Sequence, residues 1–279
     1  MFKMNRNSAI TLSMFIALTL CFYFVGYWMI FRLGRATPLM LSVGVAAIVT
    51  CLIRRRALSS LNWGWGDSKY QWLSYVTPLL IAIVSYGIIW LLDLGSWYNT
   101  DFVAEQRADY GLNQWGDFQI IAFHFLLTAT ITLFLSLPSI LGEEIAWRGF
   151  LVTELSKVMS FTQVALFSGF LWSVWHWPII FLGLYGNGST PLVYQLFFFT
   201  LFIMSASMIM TYFRYKTNSV WTGVFFHASS NTFLQKFFSP MTLPHANSSY
   251  FLGEFGAILG SITLIAAIVA WKKGSRAFN

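Results

Sequence analysis

The chain has 279 residues, of which 57% are hydrophobic and only 10% are charged, and its formal net charge is +7. Apolar runs near twenty residues recur along its length, which is typical of a multi-pass membrane protein and leaves too little polar sequence for a separate soluble domain. The positive charge lies mostly between the apolar runs and at the termini, so it indicates membrane topology and excludes a nucleic-acid-binding surface. Cys21 and Cys51 lie in apolar segments without metal-ligand spacing, and no disulfide framework is expected.

Nine apolar segments follow one another, each about as long as a membrane-spanning helix: residues 8–31, 37–53, 71–93, 119–138, 139–159, 161–184, 193–213, 219–237 and 251–271. The first is too long for a cleavable signal sequence, so we expect it to be retained. Ser160 and Gln163 have capping-box spacing at the start of a helix, and residues 186–191 have turn chemistry. The sequence therefore predicts an all-α, polytopic transmembrane bundle of about eight (eight or nine) helices in the cell membrane.

Clusters of basic residues predict that both termini face the cytoplasm. The clusters are Lys3 with Arg6, the arginines at 54–56, and the tail at 272–276. Two termini on one side require an even number of crossings, so one of the nine segments must be tilted, re-entrant or merged with its neighbour. The region 119–159, interrupted by Pro138, is the strongest candidate. We divide the chain into N-terminal helices and loops (1–118), a core that carries the polar motifs (119–237), and a last loop, helix and basic tail (238–279).

The first polar motif places two glutamates and an arginine in an apolar segment: Glu143, Glu144 and Arg148. Isolated carboxylates are costly to bury, so each needs a partner or a function. Glu144 and Arg148 have the i,i+4 spacing and the acid-before-base order of a helical ion pair. Glu143 points about 100° away around the helix. We therefore predict that Glu144 and Arg148 are paired and that Glu143 is free for chemistry.

Two later helices carry intramembrane histidines. His176 follows Trp172 by one helical turn, and His227 shares a helix face with Asn231. A single intramembrane histidine can simply bond a backbone carbonyl of a neighbouring helix, so the joint occurrence of these motifs is the stronger signal. His124 has no partner at helical spacing, and we assign it a structural role.

Spacing predicts that the motifs meet. Glu143 and His176 are almost equally far in sequence from a turn near Ser160, and Asn231 is about as far from the next hairpin turn. If both turns lie on one membrane side, the three side chains share a depth of about 22–26 Å from the turns, at 1.5 Å per residue. His227 then lies one helical turn nearer to the hairpin turns.

This constellation resembles the CPBP family of intramembrane proteases, which includes the CAAX-prenyl endopeptidases of eukaryotes and many bacterial members. The family motifs are Glu-Glu-x-x-x-Arg, Phe-x-x-x-His and His-x-x-x-Asn or Asp; here they read Glu143-Glu144-x-x-x-Arg148, Trp172-x-x-x-His176 and His227-x-x-x-Asn231. The resemblance covers about residues 119–237, with Trp172 where the family usually has phenylalanine. Tryptophan preserves an aromatic packing role.

Peptide hydrolysis needs a nucleophile, a proton acceptor and stabilisation of the oxyanion. Activated water is the simplest nucleophile: Glu143, aided by His176, would accept its proton, and His227 and Asn231 would donate to the oxyanion. The resemblance implies the same assignment, in which Glu144 and Arg148 have a supporting role. Nearby serines are alternative covalent nucleophiles, less well placed for activation: Ser173, Ser229 and Ser230.

A zinc site is a second alternative, since two histidines, one glutamate and an open position satisfy catalytic zinc. The usual His-Glu-x-x-His helix is absent, however, and one oxyanion donor would be lost. We therefore favour a site without metal or other cofactor.

Two non-enzymatic classes of membrane protein are further alternatives. Some bacterial members of the family are associated with bacteriocin self-protection, so the chain could be an immunity or scaffold protein. A transporter could use a glutamate–histidine proton relay, but it would have repeated halves with broken helices, and the sequence shows no such repeat. The intact polar set favours the enzyme. The expected partners are the lipid bilayer and a peptide or protein substrate entering from the membrane, while short loops suggest a bacterial protein with a substrate other than a prenylated tail.

Overall fold

A computed structural model describes residues 6–34 and 36–278, so Lys3 of the first basic cluster lies outside the described residues. The described chain forms nine helices: α1 (Arg6–Leu33), α2 (Thr37–Ile53), α3 (Ser68–Leu91), α4 (Thr100–Asp109), α5 (Asp117–Leu155), α6 (Phe161–Phe181), α7 (Leu192–Thr217), α8 (Trp221–Thr232) and α9 (Ala257–Phe278). Helix α8 continues through a π-helical stretch, Phe233–Phe238, into a last turn, Ser239–Met241. Short 3-10 turns lie at Leu58–Leu61 and Ser248–Tyr250.

The expected helical polytopic bundle is confirmed. Within the described residues, six helices are long and apolar enough to cross a membrane: α1, α3, α5, α6, α7 and α9. This is fewer than the eight or nine expected. Helix α2 is apolar but has only 17 residues. Helix α8 has 12 residues before its π-helical continuation and carries polar groups along its length, which reduce its hydropathy.

The difference in count also arises because two expected segments, 119–138 and 139–159, form the single helix α5 of 39 residues. It continues through Pro138, which lies between π-helical stretches at Thr128–Thr132 and Ile145–Leu151. Such stretches change the backbone hydrogen-bond pattern, so the helix can bend past the proline without ending. At 1.5 Å per residue α5 is about 58 Å long, roughly twice the apolar thickness of a bilayer, and therefore tilts or extends beyond it.

Contacts between helix ends bring basic residues that follow or precede several helices to one end of the bundle, which we call the basic end. The ring of Phe161, at the start of α6, packs 5.4 Å from that of Tyr215 in α7 and 5.9 Å from that of Phe278 in α9. Arg56, after α2, forms an ion pair with Glu154 in α5. The two hairpin turns therefore lie at the same end of the bundle, which is the condition that the predicted common depth of the polar residues required.

The opposite, acidic end carries the polar helix α4 and a small β-ribbon. Asn99 caps α4, since its side chain accepts from the amides of Asp101 and Phe102. Strand β1 (Gly95–Trp97) pairs antiparallel with β2 (Thr242–Pro244), with Ser96 opposite Leu243. The ribbon was not expected, because its two strands are remote in sequence and each is only three residues long.

The capping box predicted at Ser160 and the turn predicted at residues 186–191 are both present. The amide of Ser160 donates to the side-chain oxygen of Gln163 at 3.0 Å, which completes the capping box before α6. In the loop between α6 and α7, the side-chain oxygen of Asn187 accepts from the amides of Ser189 and Thr190 at 3.2 and 3.1 Å. These bonds are formed between residues two or three apart, so sequence patterns can predict them.

Helix α2 touches α5 at two glycines, Gly44 and Gly142. A Cβ added at Gly44 would collide with the carbonyl oxygen of Gly142. Small residues permit such backbone contact between membrane helices. Because Gly142 directly precedes Glu143, this contact fixes the position of α5 next to the first polar motif.

We therefore expect Gly44→Ala to lower the free energy of unfolding by about 1–3 kcal/mol, since the backbones would have to separate. The thermal midpoint of the purified protein in detergent measures this loss. The matched control is Gly87→Ala in α3, where an added Cβ meets no atom within 4 Å. That change should be neutral or slightly stabilising. Equal midpoints for the two variants would contradict the close packing of α2 on α5.

Candidate active site

A cavity of about 320 Å³ lies among the helices, and all four candidate catalytic residues line it. Glu143 comes from α5, His176 from α6, and His227 and Asn231 from α8. Glu143 is only 1% exposed, whereas His176 and Asn231 are partly exposed. The structure therefore brings together the residues that were predicted to meet because they lie at similar distances from the hairpin turns.

Trp172 holds both Glu143 and His176. Its indole nitrogen donates to Oε2 of Glu143 at 3.0 Å, and its backbone carbonyl bonds Nδ1 of His176 at 2.9 Å. A carbonyl can only accept, so Nδ1 carries the proton and Nε2 is left for the cavity. From the sequence, Trp172 was expected to have only a packing role. The signal for its second role was the indole N–H itself, which phenylalanine at this position lacks.

The predicted ion pair is present and includes a third member. Nη1 of Arg148 donates to Oε1 of Glu144 at 3.1 Å, and Nδ1 of His227 donates to the same oxygen at 3.0 Å. The Arg148 guanidinium also lies 4.3 Å from the centroid of the Trp172 ring and donates to the sulfur of Met210. The bond from His227 to Glu144 was not expected. It leaves only Nε2 of His227 to face a substrate.

A glycine permits this arrangement. A Cβ added at Gly223 would lie 2.6 Å from Oε2 of Glu144 and 3.2 Å from Cγ of Arg148. Gly223 precedes His227 by one turn of α8, so the missing side chain lets α8 approach the carboxylate closely enough for the histidine to reach it.

Two of the three alternative nucleophiles donate to backbone carbonyls. Ser173 donates to the carbonyl of Gly169 at 3.0 Å, and Ser229 donates to the carbonyl of Tyr75 at 2.6 Å. Ser230 lines the cavity. Nδ1 of His227 bonds Glu144, as the histidine of a serine–histidine–acid triad bonds its acid, but within the described residues no serine hydroxyl is hydrogen-bonded to Nε2 of His227.

His124 lies outside the cavity lining and is structural, as expected. Its two ring nitrogens bond the Tyr110 hydroxyl at 2.6 Å and the carbonyl of Lys236 at 2.7 Å. Both cysteines are free: Cys21 is exposed and Cys51 is buried.

The zinc alternative can be compared with the donor geometry. Within the described residues, no three His, Cys, Asp or Glu side chains lie close enough together to hold a metal ion. Glu143, His176 and His227 share the cavity, and both histidines use Nδ1 for protein hydrogen bonds, which leaves Nε2 of each ring available. Histidines that bind zinc also make such bonds, so it is the separation of the three groups, and not these bonds, that distinguishes them from a zinc-ligand set.

A further buried carboxylate, that of Glu254, lines the same cavity, and it was not identified from the sequence. Glu254, in the loop before α9, is 7% exposed and accepts from the side-chain amide of Gln235 at 2.8 Å and from the Tyr185 hydroxyl. The available signal was a single carboxylate within the apolar run 251–271. That is the same type of signal that identified Glu143.

The central part of the chain is similar to known proteins. Residues 122–233 match the model of the Type II CAAX prenyl endopeptidase Rce1-like family. The chain is also 31% identical over 153 residues to CAAX prenyl protease 2 of Methanococcus maripaludis. That alignment covers 53% of this chain and 50% of the relative, so the chain spans about half the length of this curated protein.

The family match lies inside the region 119–237 that carried the resemblance to CPBP proteases, and it contains Glu143, His176, His227 and Asn231. The predicted resemblance is thus confirmed as a similarity: residues 122–233 of this chain match the model of the Type II CAAX prenyl endopeptidase Rce1-like family.

Proposed function

We propose that this protein is an intramembrane endopeptidase of the cell membrane that hydrolyses a peptide bond with an activated water molecule. The observation that carries the proposal is one cavity among the helices that is lined by Glu143, His176, His227 and Asn231. The family match supports the same reaction class. A scaffold or immunity protein would not need all four groups on a common cavity.

Glu143 is the proposed base. Its carboxylate is almost fully buried, accepts from the indole of Trp172 through Oε2, and lines the cavity, where it would accept a proton from water. His176 is oriented by its Nδ1 bond and offers Nε2 to the same space. In this proposal His176 assists the proton transfer and delivers the proton to the leaving amine.

His227 and Asn231 are the proposed oxyanion donors. They lie one turn apart on α8, and both face the cavity. Nε2 of His227 can donate only when the ring is doubly protonated, and Glu144 supplies the counter-charge for that form. Arg148 shares the same carboxylate of Glu144 and lies outside the cavity lining.

The substrate is proposed to be a peptide with a bulky apolar group beside the cleaved bond. The rest of the cavity wall is largely apolar and aromatic, including Leu39, Phe199, Phe202 and Phe226. The name of the archaeal relative refers to prenylated CAAX tails. A farnesylated peptide is therefore the first probe, in spite of the sequence-based preference for another substrate.

Glu143→Gln should reduce cleavage of a quenched, farnesylated CAAX peptide by about 100-fold or more, because a general base contributes roughly that factor. The thermal midpoint should stay unchanged, since glutamine keeps the size of the side chain and can accept from Trp172. Cleavage by the variant at more than a tenth of the original rate would contradict the role of Glu143 as base.

Glu144→Gln is the matched comparison, one residue along the same helix. It should lower both activity and stability, because Arg148 would remain as a buried charge without its counter-ion. Breaking such a pair costs about 3–5 kcal/mol. The thermal midpoints of the two variants measure this difference. Equal midpoints would show that the Glu144–Arg148 pair does not stabilise the fold.

We propose that catalysis does not use a metal. Purified protein dialysed exhaustively against a chelator should then cleave the same peptide at an unchanged rate. Elemental analysis provides the second measurement. Zinc near one atom per chain that tracks activity, and that is lost in His176→Ala, would establish a metalloenzyme in place of the glutamate mechanism.

A further inference from the structure

Four glutamates are buried in the described part of the chain, and three of them already have a role. Glu144 pairs with Arg148, Glu154 pairs with Arg56 and Lys157, and Glu143 is the proposed base. Glu254 is the fourth. No Lys, Arg or His of the described residues forms an ion pair with it.

The surroundings of Glu254 leave its charge without compensation. Gln235 donates to Oε1 and Tyr185 donates to Oε2, and both donors are neutral. Burial, together with the neighbouring carboxylate, raises the pKa of the Tyr185 phenol, which therefore stays a neutral donor at physiological pH. Each carboxylate oxygen can accept two hydrogen bonds, so capacity remains on the cavity side. An ionised carboxylate buried in this way is costly unless a cation joins it.

Glu254 is also close to the proposed reaction centre. The Tyr185 ring that bonds Glu254 has its centroid 6.0 Å from that of the His176 ring. Glu254, Tyr185, His176 and Glu143 all line the same cavity. An extended peptide advances about 3.3–3.6 Å per residue, so a substrate cut beside His176 reaches Glu254 within about three residues.

We propose that Glu254 is a specificity site that binds a positively charged substrate group, the side chain of a lysine or arginine within about three residues of the cleaved bond. This inference rests on the proposed peptidase function. The incoming cation would complete the charge balance of the cavity, with Tyr185 and Gln235 holding the carboxylate in place. A purely structural Glu254, which only ties the loop before α9 to Tyr185 and Gln235, would give no preference among substrates.

The test uses the purified full chain and a library of quenched farnesyl-cysteine peptides randomised at three positions on either side of the cysteine. Mass spectrometry of the products should show lysine and arginine enriched at one position. At that position, kcat/KM for a lysine peptide should exceed that for the norleucine peptide by about 30-fold, and Glu254→Gln should reduce this ratio to near one. Glu105→Gln is the control, because it removes the same charge from an exposed site on α4 and should leave the ratio unchanged.

A wild-type profile without basic enrichment overturns the inference even if Glu254→Gln does not fold. An unchanged ratio in Glu254→Gln, with both peptides affected equally, overturns it in favour of a structural role. Binding separates the inference from the proposed function: a tenfold or larger preference of the Glu143→Gln protein for the lysine peptide, lost on adding Glu254→Gln, supports the cation site even if no peptide is cleaved. Cleavage that requires Glu143 without any lysine preference supports the peptidase and removes only the cation site.

Discussion

The site depends on one buried carboxylate, that of Glu144. A charge inside a membrane bundle is stable only when its partners are close and its hydrogen bonds are satisfied. Here the partners come from different places: Arg148 is on the same helix, whereas His227 is on α8. Because one oxygen bonds both, the position of α8 relative to α5 is set by this charge. The Arg148 guanidinium over the Trp172 ring extends the constraint to α6.

Neutral contacts then place the proposed base. Trp172 bonds Glu143 through its side chain and His176 through its backbone, so one residue of α6 orients the two groups of the proton-transfer step. Glycines at the helix contacts, Gly142 and Gly223, allow the backbones to come close enough for these short side chains to meet. The polar cluster therefore depends on the small residues, because the polar side chains meet only where glycines let the helices approach closely.

The cavity is lined both by residues of the segment that matches the family model and by residues beyond it. The matched segment ends at residue 233, while Gln235 and Glu254 lie further along the chain and line the same cavity. In our proposals the reaction is carried out inside the segment, and part of the substrate preference is set outside it. This division is physically reasonable, because loops can vary without disturbing the helix contacts that hold the base.

Local patterns in the sequence determined much of this protein. Hydrophobic run lengths predicted the membrane helices, i,i+4 spacing predicted the Glu144–Arg148 pair, and equal distances from two turns predicted that Glu143 and His176 share a cavity. Such inferences succeed because they depend on helix geometry, which acts between neighbours along the chain. Only the tertiary structure decided the continuity of α5 and the contacts between helices, including the bonds of Trp172 and His227 and the inclusion of Glu254 in the cavity. Those contacts join residues that are remote in sequence. They are fixed by how the helices pack, and no local pattern in the sequence predicts that packing.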